Sequence, residues 1–261
     1  MSVNWNRVTP ALSVRRVFME ICGDTGTGRT TLALTAPGPI AILHFGEKIE
    51  GIANQFVTAG KDIRELTFSP FYPPGISEAE IVKMAAETWK EFEAAWYDAF
   101  HWARTIIMDT HTDGWEAVRL AFFGDVKPDG GRMETNWGPV NARWGGLFKM
   151  VRSPKVESNV IIIGATEDEY KETVNPKTGL PGQGKKTGVT VRKGQKYIPR
   201  ICDVSIRTLK GPGGFGSYLE KGWMSAHLEY ERSGMVLQNE MSTFANWMAM
   251  ITGTTPDEWS R

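Results

Sequence analysis

Short, continuous apolar runs alternate along the chain with stretches whose apolar residues recur every three or four positions. That alternation predicts an α/β protein whose mainly parallel central sheet is flanked by helices, its strands buried on both faces. The first run, Val17 to Gly23, ends in glycine and precedes a short helix over Thr30 to Thr35 that Pro37 and Gly38 terminate. Pro39 to Phe45 reads as a second buried strand, and Ile63 to Phe68 as a third. Ser77 followed by Glu80 is a capping-box signature opening a long helix to about Ala103. On it Trp89, Phe92, Trp96 and Phe100 share one face and are expected to pack against the sheet.

Arg104 to Asp109 is the next strand, and Asp113 is expected to cap a helix through about Phe123. Gly124 to Asn136 is polar and reads as a loop; a helix over Gly138 to Arg152 and the strand Asn159 to Ala165 follow. Trp137 and Trp144, seven apart, suit either the core or a subunit contact. Glu167 to Gln195, rich in glycine, proline and lysine, is either a hairpin excursion or a mobile functional loop. Tyr197 to Leu209 and Trp223 to Glu231 alternate as C-terminal antiparallel strands do, and Glu240 to Ile251 closes as a helix. The whole reads as one domain over 1–261, with an extension over 1–16 and the C-terminal strands and helix over 210–261.

Composition removes several alternatives. With 41% hydrophobic and 23% charged residues the chain has the makings of a packed core. Its formal net charge of +0 means that any basic surface must be local. Cys22 and Cys202 stand far apart and the four histidines stand singly, so neither a disulfide framework nor a structural zinc site is expected. No run of signal-peptide type occurs in Met1 to Arg16 and no segment nears the roughly 18 apolar residues of a membrane span, so a cytoplasmic protein without membrane contact is expected.

The chemistry concentrates between the first strand and first helix. Gly23-Asp24-Thr25-Gly26-Thr27-Gly28-Arg29-Thr30-Thr31 follows the phosphate-binding pattern G-x-x-x-x-G-K-[ST] except that Arg29 stands at the lysine position. In such a loop successive backbone N–H groups wrap a phosphate, the hydroxyl at Thr30 meets Mg²⁺, and the cation at 29 approaches the β- and γ-phosphates of ATP. A guanidinium is planar and larger than an ammonium, so either hydrolysis is weak or the loop is adjusted to the larger head group. Asp109 ends an apolar strand, as does the acid that reaches Mg²⁺ through water in such proteins; the competing role is a helix cap. Glu47, leaving the second strand, is placed to orient or deprotonate an attacking water, against a solvated loop glutamate with Glu50 as substitute. Thr166 and Glu167, with Asp168, stand where a γ-phosphate sensor would.

Between 171 and 200 eight basic residues face the single acid Glu172. Lys177, Lys185, Lys186, Arg192, Lys193 and Lys196, with Tyr170 and Tyr197 flanking, suit contact with single-stranded DNA, or else form a solvated charged hairpin.

The order of these parts resembles the RecA-like phage nucleotide-binding proteins, P-loop NTPases that are core-only relatives of the RecA and RadA recombinases, over roughly residues 14 to 210. The resemblance implies a RecA-like core, catalytic roles for Glu47 and Asp109, and first and second DNA-binding loops at Gly124 to Asn136 and Glu167 to Gln195. It also implies Mg-ATP bound between subunits of a homo-oligomeric filament or ring, and work in recombination or single-strand annealing in the cytoplasm of a bacterial host. Arg29 replaces the family lysine, and Thr166 or Glu167 occupies the place of its sensor glutamine. An accessory nucleotide-binding module with little or no hydrolysis is the alternative. A small-molecule kinase is disfavoured, because no arginine-rich lid is present.

Overall fold

The computed structural model describes residues 16–46, 49–68, 73–123, 138–153, 155–174, 181–193, 198–222 and 236–260, with backbone alone for 171–174 and 181–183. Among the described residues the frame is a sheet of nine strands in the order β3-β2-β4-β5-β1-β7-β8-β9, with β6 paired to β5 off that path. The strands are β1 (Phe18–Gly23), β2 (Ile40–His44), β3 (Ile63–Thr67), β4 (Thr105–Asp109), β5 (Asn159–Val174), β6 (Pro181–Arg192), β7 (Val204–Gly211), β8 (Gly214–Gly222) and β9 (Val236–Gln238). All pairings from β3 across to β7 are parallel, while β7–β8, β8–β9 and β5–β6 are antiparallel. The mixed α/β architecture, mainly parallel with antiparallel strands at the C-terminal edge, is the one expected from the apolar runs.

Helices cover both faces: α1 (Arg29–Leu34), α2 (Glu50–Thr58), α3 (Glu78–Ala99), α4 (His111–Phe123), α5 (Gly138–Val151), α6 (Ile198–Ile201), α7 (Phe244–Thr252) and α8 (Asp257–Ser260). Alternation along each strand divides the core in two. Met19, Ile21, Ile42, Ile107, Ile161 and Ile206 point to one side, with Leu32 of α1 and Phe244, Trp247 and Met248 of α7. Phe18, Leu43, Ile106, Met108 and Ile162 point to the other, with Trp89, Phe92 and Trp96 of α3 and Trp144 and Phe148 of α5. Trp144 lies in the core, its ring centroid 5.2 Å from that of Phe148; Trp137 lies outside the described residues.

Several boundaries differ from expectation. The long helix ends at Ala99 rather than Ala103, where the chain turns so that Arg104 and Thr105 donate to the Pro39 carbonyl at the start of the next strand pair. Thr110, not Asp113, caps α4: its hydroxyl accepts from the Asp113 N–H at 3.2 Å and donates to the Asp113 carboxylate. The strand expected from Tyr197 begins only at Val204, because Ile198–Ile201 is a helical turn. Pro199 explains this, its fixed φ suiting a first helical turn and its missing N–H barring a ladder position. Its antiparallel neighbour is β8, whose glycines hid it; the expected strand Trp223 to Glu231 lies outside the described residues, as does the loop Gly124 to Asn136. Glu167 to Gln195 takes the hairpin alternative, as β5 runs on to Val174 and β6 returns. At the C-terminus a 3₁₀ turn (Asn239–Met241) precedes α7, which Thr243 caps from its hydroxyl.

Candidate functional site

The Gly23–Thr31 loop leaves β1 at the carboxyl edge of the parallel strands and is packed against β7. A Cβ on Gly23 would stand 2.3 Å from the Thr208 hydroxyl and 2.8 Å from the Thr208 carbonyl, so only glycine permits that approach. The Thr27 hydroxyl lies 2.7 Å from both the Asp24 carbonyl and the Thr208 hydroxyl, closing the loop on itself and on the sheet. Gly28 precedes α1 with φ 85°, a left-handed conformation that glycine adopts without strain. Asp24, Thr25 and Gly26 form the exposed tip. The first N–H groups of α1 lack intrahelical acceptors, and no side chain caps them.

At its mouth two elements meet. Thr30 Oγ1 donates to Asp109 Oδ2 at 2.7 Å, bringing the second residue of α1 to the end of β4. Asp109 is 4% exposed, so its carboxylate is held rather than solvated. One hydroxyl beside one carboxylate fits Mg²⁺, which keeps several waters and takes few protein ligands besides phosphate oxygens. Among the described residues no group of three or more His, Cys, Asp and Glu side chains could hold a metal by themselves.

Arg29 is placed differently from the expectation of a cation over the phosphates. It is 8% exposed, and its Nη1 donates to the Gly164 carbonyl at 2.8 Å. Glu47 lies outside the described residues; Glu50 stands exposed in the first turn of α2. Thr166 donates its hydroxyl to the Asp24 carboxylate, so the strand beyond Gly164 touches the loop tip. Glu167 is exposed opposite Val191, with Asp168 beside it opposite Thr190.

Of the basic set, Lys177 and Lys196 lie outside the described residues. Lys185, Lys186 and Lys193 are exposed. Lys186 pairs with Asp168 and sits 5.9 Å from the Tyr170 ring centroid. Arg192 departs from this group, because its guanidinium turns inward to Glu20, Ser205 and Glu220.

That inward turn completes a buried polar cluster that the motifs did not reveal. Glu20, 0% exposed on β1, accepts from the Ser205 hydroxyl at 2.7 Å and lies 3.1 Å from Arg192 Nε. Arg207 donates to Glu220 at 2.7 Å, and His111 Nε2 lies 3.9 Å from Glu20. Burial raises the Glu20 carboxyl above its usual range, with Arg192 and Ser205 opposing. Burial also lowers His111 to about 4 and pushes the Cys22 thiol up to about 12, which makes it inert as a nucleophile. A sequence signal existed: a glutamate inside the apolar run Val17 to Cys22 must find partners once its strand is buried.

No helix among the described residues is long and apolar enough to cross a membrane. No protein-family model and no curated protein matches the chain. Among solved structures the crystal structure of the RadB recombinase is similar to it, covering 84% of each chain at 14% sequence identity with a TM-score of 0.42.

Proposed function

We propose that this chain is a single-domain, RecA-like P-loop protein that binds Mg-ATP and acts in DNA recombination or single-strand annealing of the phage type. The observation that carries the nucleotide reading is the 2.7 Å contact between Thr30 and Asp109 at the mouth of a loop with phosphate-binding spacing. Residues 79 positions apart meet there at the carboxyl ends of parallel strands, where open α/β sheets bind ligands. Thr30 and Asp109 would hold Mg²⁺, Asp109 through water; the bound cation offsets phosphate charge. Glu47 is proposed as the residue that activates water, and Thr166 with Glu167 as the γ-phosphate sensor. The hairpin lysines support single-stranded DNA as partner, and RecA-like resemblance supports a homo-oligomer.

A second reading, a binding module with little hydrolysis, is favoured by Arg29, whose guanidinium is engaged by Gly164 rather than free over the loop. Nucleotide binding and hydrolysis with Mg²⁺, with and without single-stranded DNA, test both beside an Asp109→Ala control. DNA-stimulated turnover lost in the control supports the ATPase. Tight binding without turnover supports the module, and absence of binding ends the P-loop reading.

A further inference from the structure

A cavity beside the Gly23–Thr31 loop, lined by Gly28, Phe215 and Glu240 among others, adjoins the site already described. Another, of about 290 Å³, opens at the opposite edge of the sheet. There Phe18 begins β1, and Ser158 and Asp203 immediately precede β5 and β7. The whole of β1 separates this second cavity from the loop.

Its lining sets two guanidiniums around one space. Arg16 is pinned: its Nη1 donates to the Ser153 carbonyl at 2.5 Å and also to the Val156 carbonyl, which holds the head group against the turn after α5. Arg152, one residue beyond the end of α5, is exposed, and among the described residues no partner engages its guanidinium. The other polar groups are committed. Ser158, 7% exposed, donates its hydroxyl proton to the Ala103 carbonyl at 2.7 Å, and the Asp203 carboxylate accepts the Phe18 N–H at 2.9 Å. The side-chain donors left for a ligand are therefore the two guanidiniums, and two arginines against one aspartate leave one positive charge in the lining. The remaining walls are apolar: Val17, Val151 and Phe18, whose ring stacks on Phe148 with centroids 5.6 Å apart.

We propose that this cavity binds a small organic oxyanion, a phosphate or carboxylate held between Arg16 and Arg152 with a compact apolar body against Val17, Phe18 and Val151. Like charges around one space repel, and an anion between them reverses the sign of that interaction. The planar fork of a guanidinium matches both carboxylate and phosphate oxygens. One pinned arginine supplies a preformed half of the site, and the unengaged one can close on the ligand. The volume lies at the small end of ligand pockets, which restricts the body to a compact one. Nothing in this proposal depends on nucleotide binding at the loop.

Ligand-detected NMR titration of the full chain with phenyl phosphate, benzoate, inorganic phosphate and benzylamine, each with and without saturating Mg-ATP, tests it. Phenyl phosphate or benzoate is expected to bind more tightly than inorganic phosphate, benzylamine is expected not to bind, and Mg-ATP should leave the affinities unchanged. The phenyl phosphate and benzoate arms identify the preferred oxyanion. Arg152→Ala, at an exposed position, should weaken binding about tenfold or more, and Arg152→Lys should recover only part, because the charge returns without the fork. Asp203→Asn keeps an oxygen to accept the Phe18 N–H but removes the competing charge, so it should tighten binding by about threefold. Displacement of the probe by Mg-ATP would put the oxyanion in the phosphate loop and overturn the proposal. Unchanged affinity in Arg152→Ala, weaker binding in Asp203→Asn, equal affinity for inorganic and phenyl phosphate, or no binding where a Kd of about 1 mM would be seen overturns it as well. If Mg-ATP itself does not bind, the phosphate-loop reading fails, and the Arg152 and Asp203 variants still decide this one.

Discussion

Arg29 and Gly164 are joined by a 2.8 Å hydrogen bond from the guanidinium to the carbonyl oxygen, tying the start of α1 to the strand that leads into the β5–β6 hairpin. The charge at the lysine position of the motif is thereby engaged beneath the loop. Gly164 also has no room for a side chain, since a Cβ there would stand 2.5 Å from His111 Nε2. Loop, hairpin root and the start of α4 thus share one buried contact point.

Arg29→Lys tests what that contact does. Lysine is a compact, rotatable charge and lacks the planar fork that reaches the carbonyl. The expected outcome is a rise in ATP turnover of about tenfold, as a cation becomes available to the developing phosphate charge. Stability should fall by about 1–3 kcal/mol as the Gly164 carbonyl loses its buried donor. Steady-state hydrolysis and urea unfolding measure the two; flat turnover with lost stability would assign Arg29 to packing alone.

Thr30→Val removes the hydroxyl beside Asp109 and keeps the shape. Mg²⁺-dependent ATP binding should weaken by about tenfold or more, whereas binding in EDTA should hardly change. Calorimetry under both conditions decides. An equal fall in both would mean that the hydroxyl serves the folding of the loop and not a cation.

The fold was legible wherever one pattern dominated. The apolar runs at β1, β2, β4 and the first half of β5 are buried on both faces, so composition alone marked them. Legibility failed where glycine or proline changed the local rule: β8 is too glycine-rich to read as a strand, and Pro199 turned the start of an apparent strand into a helical turn. The site divided in the same way. Thr30 came from the spacing of the loop and Asp109 from its place at the end of an apolar strand, and their two side chains meet across 79 positions. The cavity beside the loop was not legible, because Phe215 and Glu240, which line it, stand far along the chain from the loop and share no motif with it. The inward turn of Arg192 was hidden for a related reason: composition counts charges but does not reveal that Glu20, 172 positions earlier, pairs with one of them.

Gly164→Ala measures how tightly the shared contact point is packed. The added methyl meets His111 on a buried strand that has parallel neighbours on both sides, so relief requires movement of α4 or of the strand. Overpacking of this kind costs about 1–3 kcal/mol. A lowered urea midpoint is expected, with a partial recovery in Gly164→Ala/His111→Ala, which vacates the clashing ring. No recovery would place the strain elsewhere than at His111.

Glu20 gives a pH signature. Its folded-state value is raised, so the native protein holds this proton to higher pH than the unfolded chain does. Its stabilising share is therefore fully present below about pH 4.5 and is lost as pH rises through the folded value. The gap in urea midpoint between wild type and Glu20→Gln should accordingly shift against wild type from pH 4.5 upward. A gap independent of pH would show that Arg192 and Ser205 fully offset the burial of the carboxylate.

The hairpin lysines are unequal, and that inequality tests the proposed DNA contact. Lys186 is already engaged by Asp168 and by the Tyr170 ring, which holds its ammonium charged by hydrogen bonding to the carboxylate, whereas no such pairing restrains Lys185 among the described residues. A phosphate must compete with Asp168 for Lys186 but meets Lys185 directly. Lys185→Ala should therefore weaken binding to a labelled single-stranded oligonucleotide more than Lys186→Ala, and the double variant should reduce the log–log salt slope by up to about 1.4. Asp168→Ala should act in the opposite direction, releasing Lys186 and strengthening binding, most visibly at low salt where exposed charges are least screened. Fluorescence anisotropy across a salt titration reads the wild type and the four variants. Equal slopes in wild type and double variant, with nucleotide binding intact, would return the hairpin to the status of a solvated charged excursion.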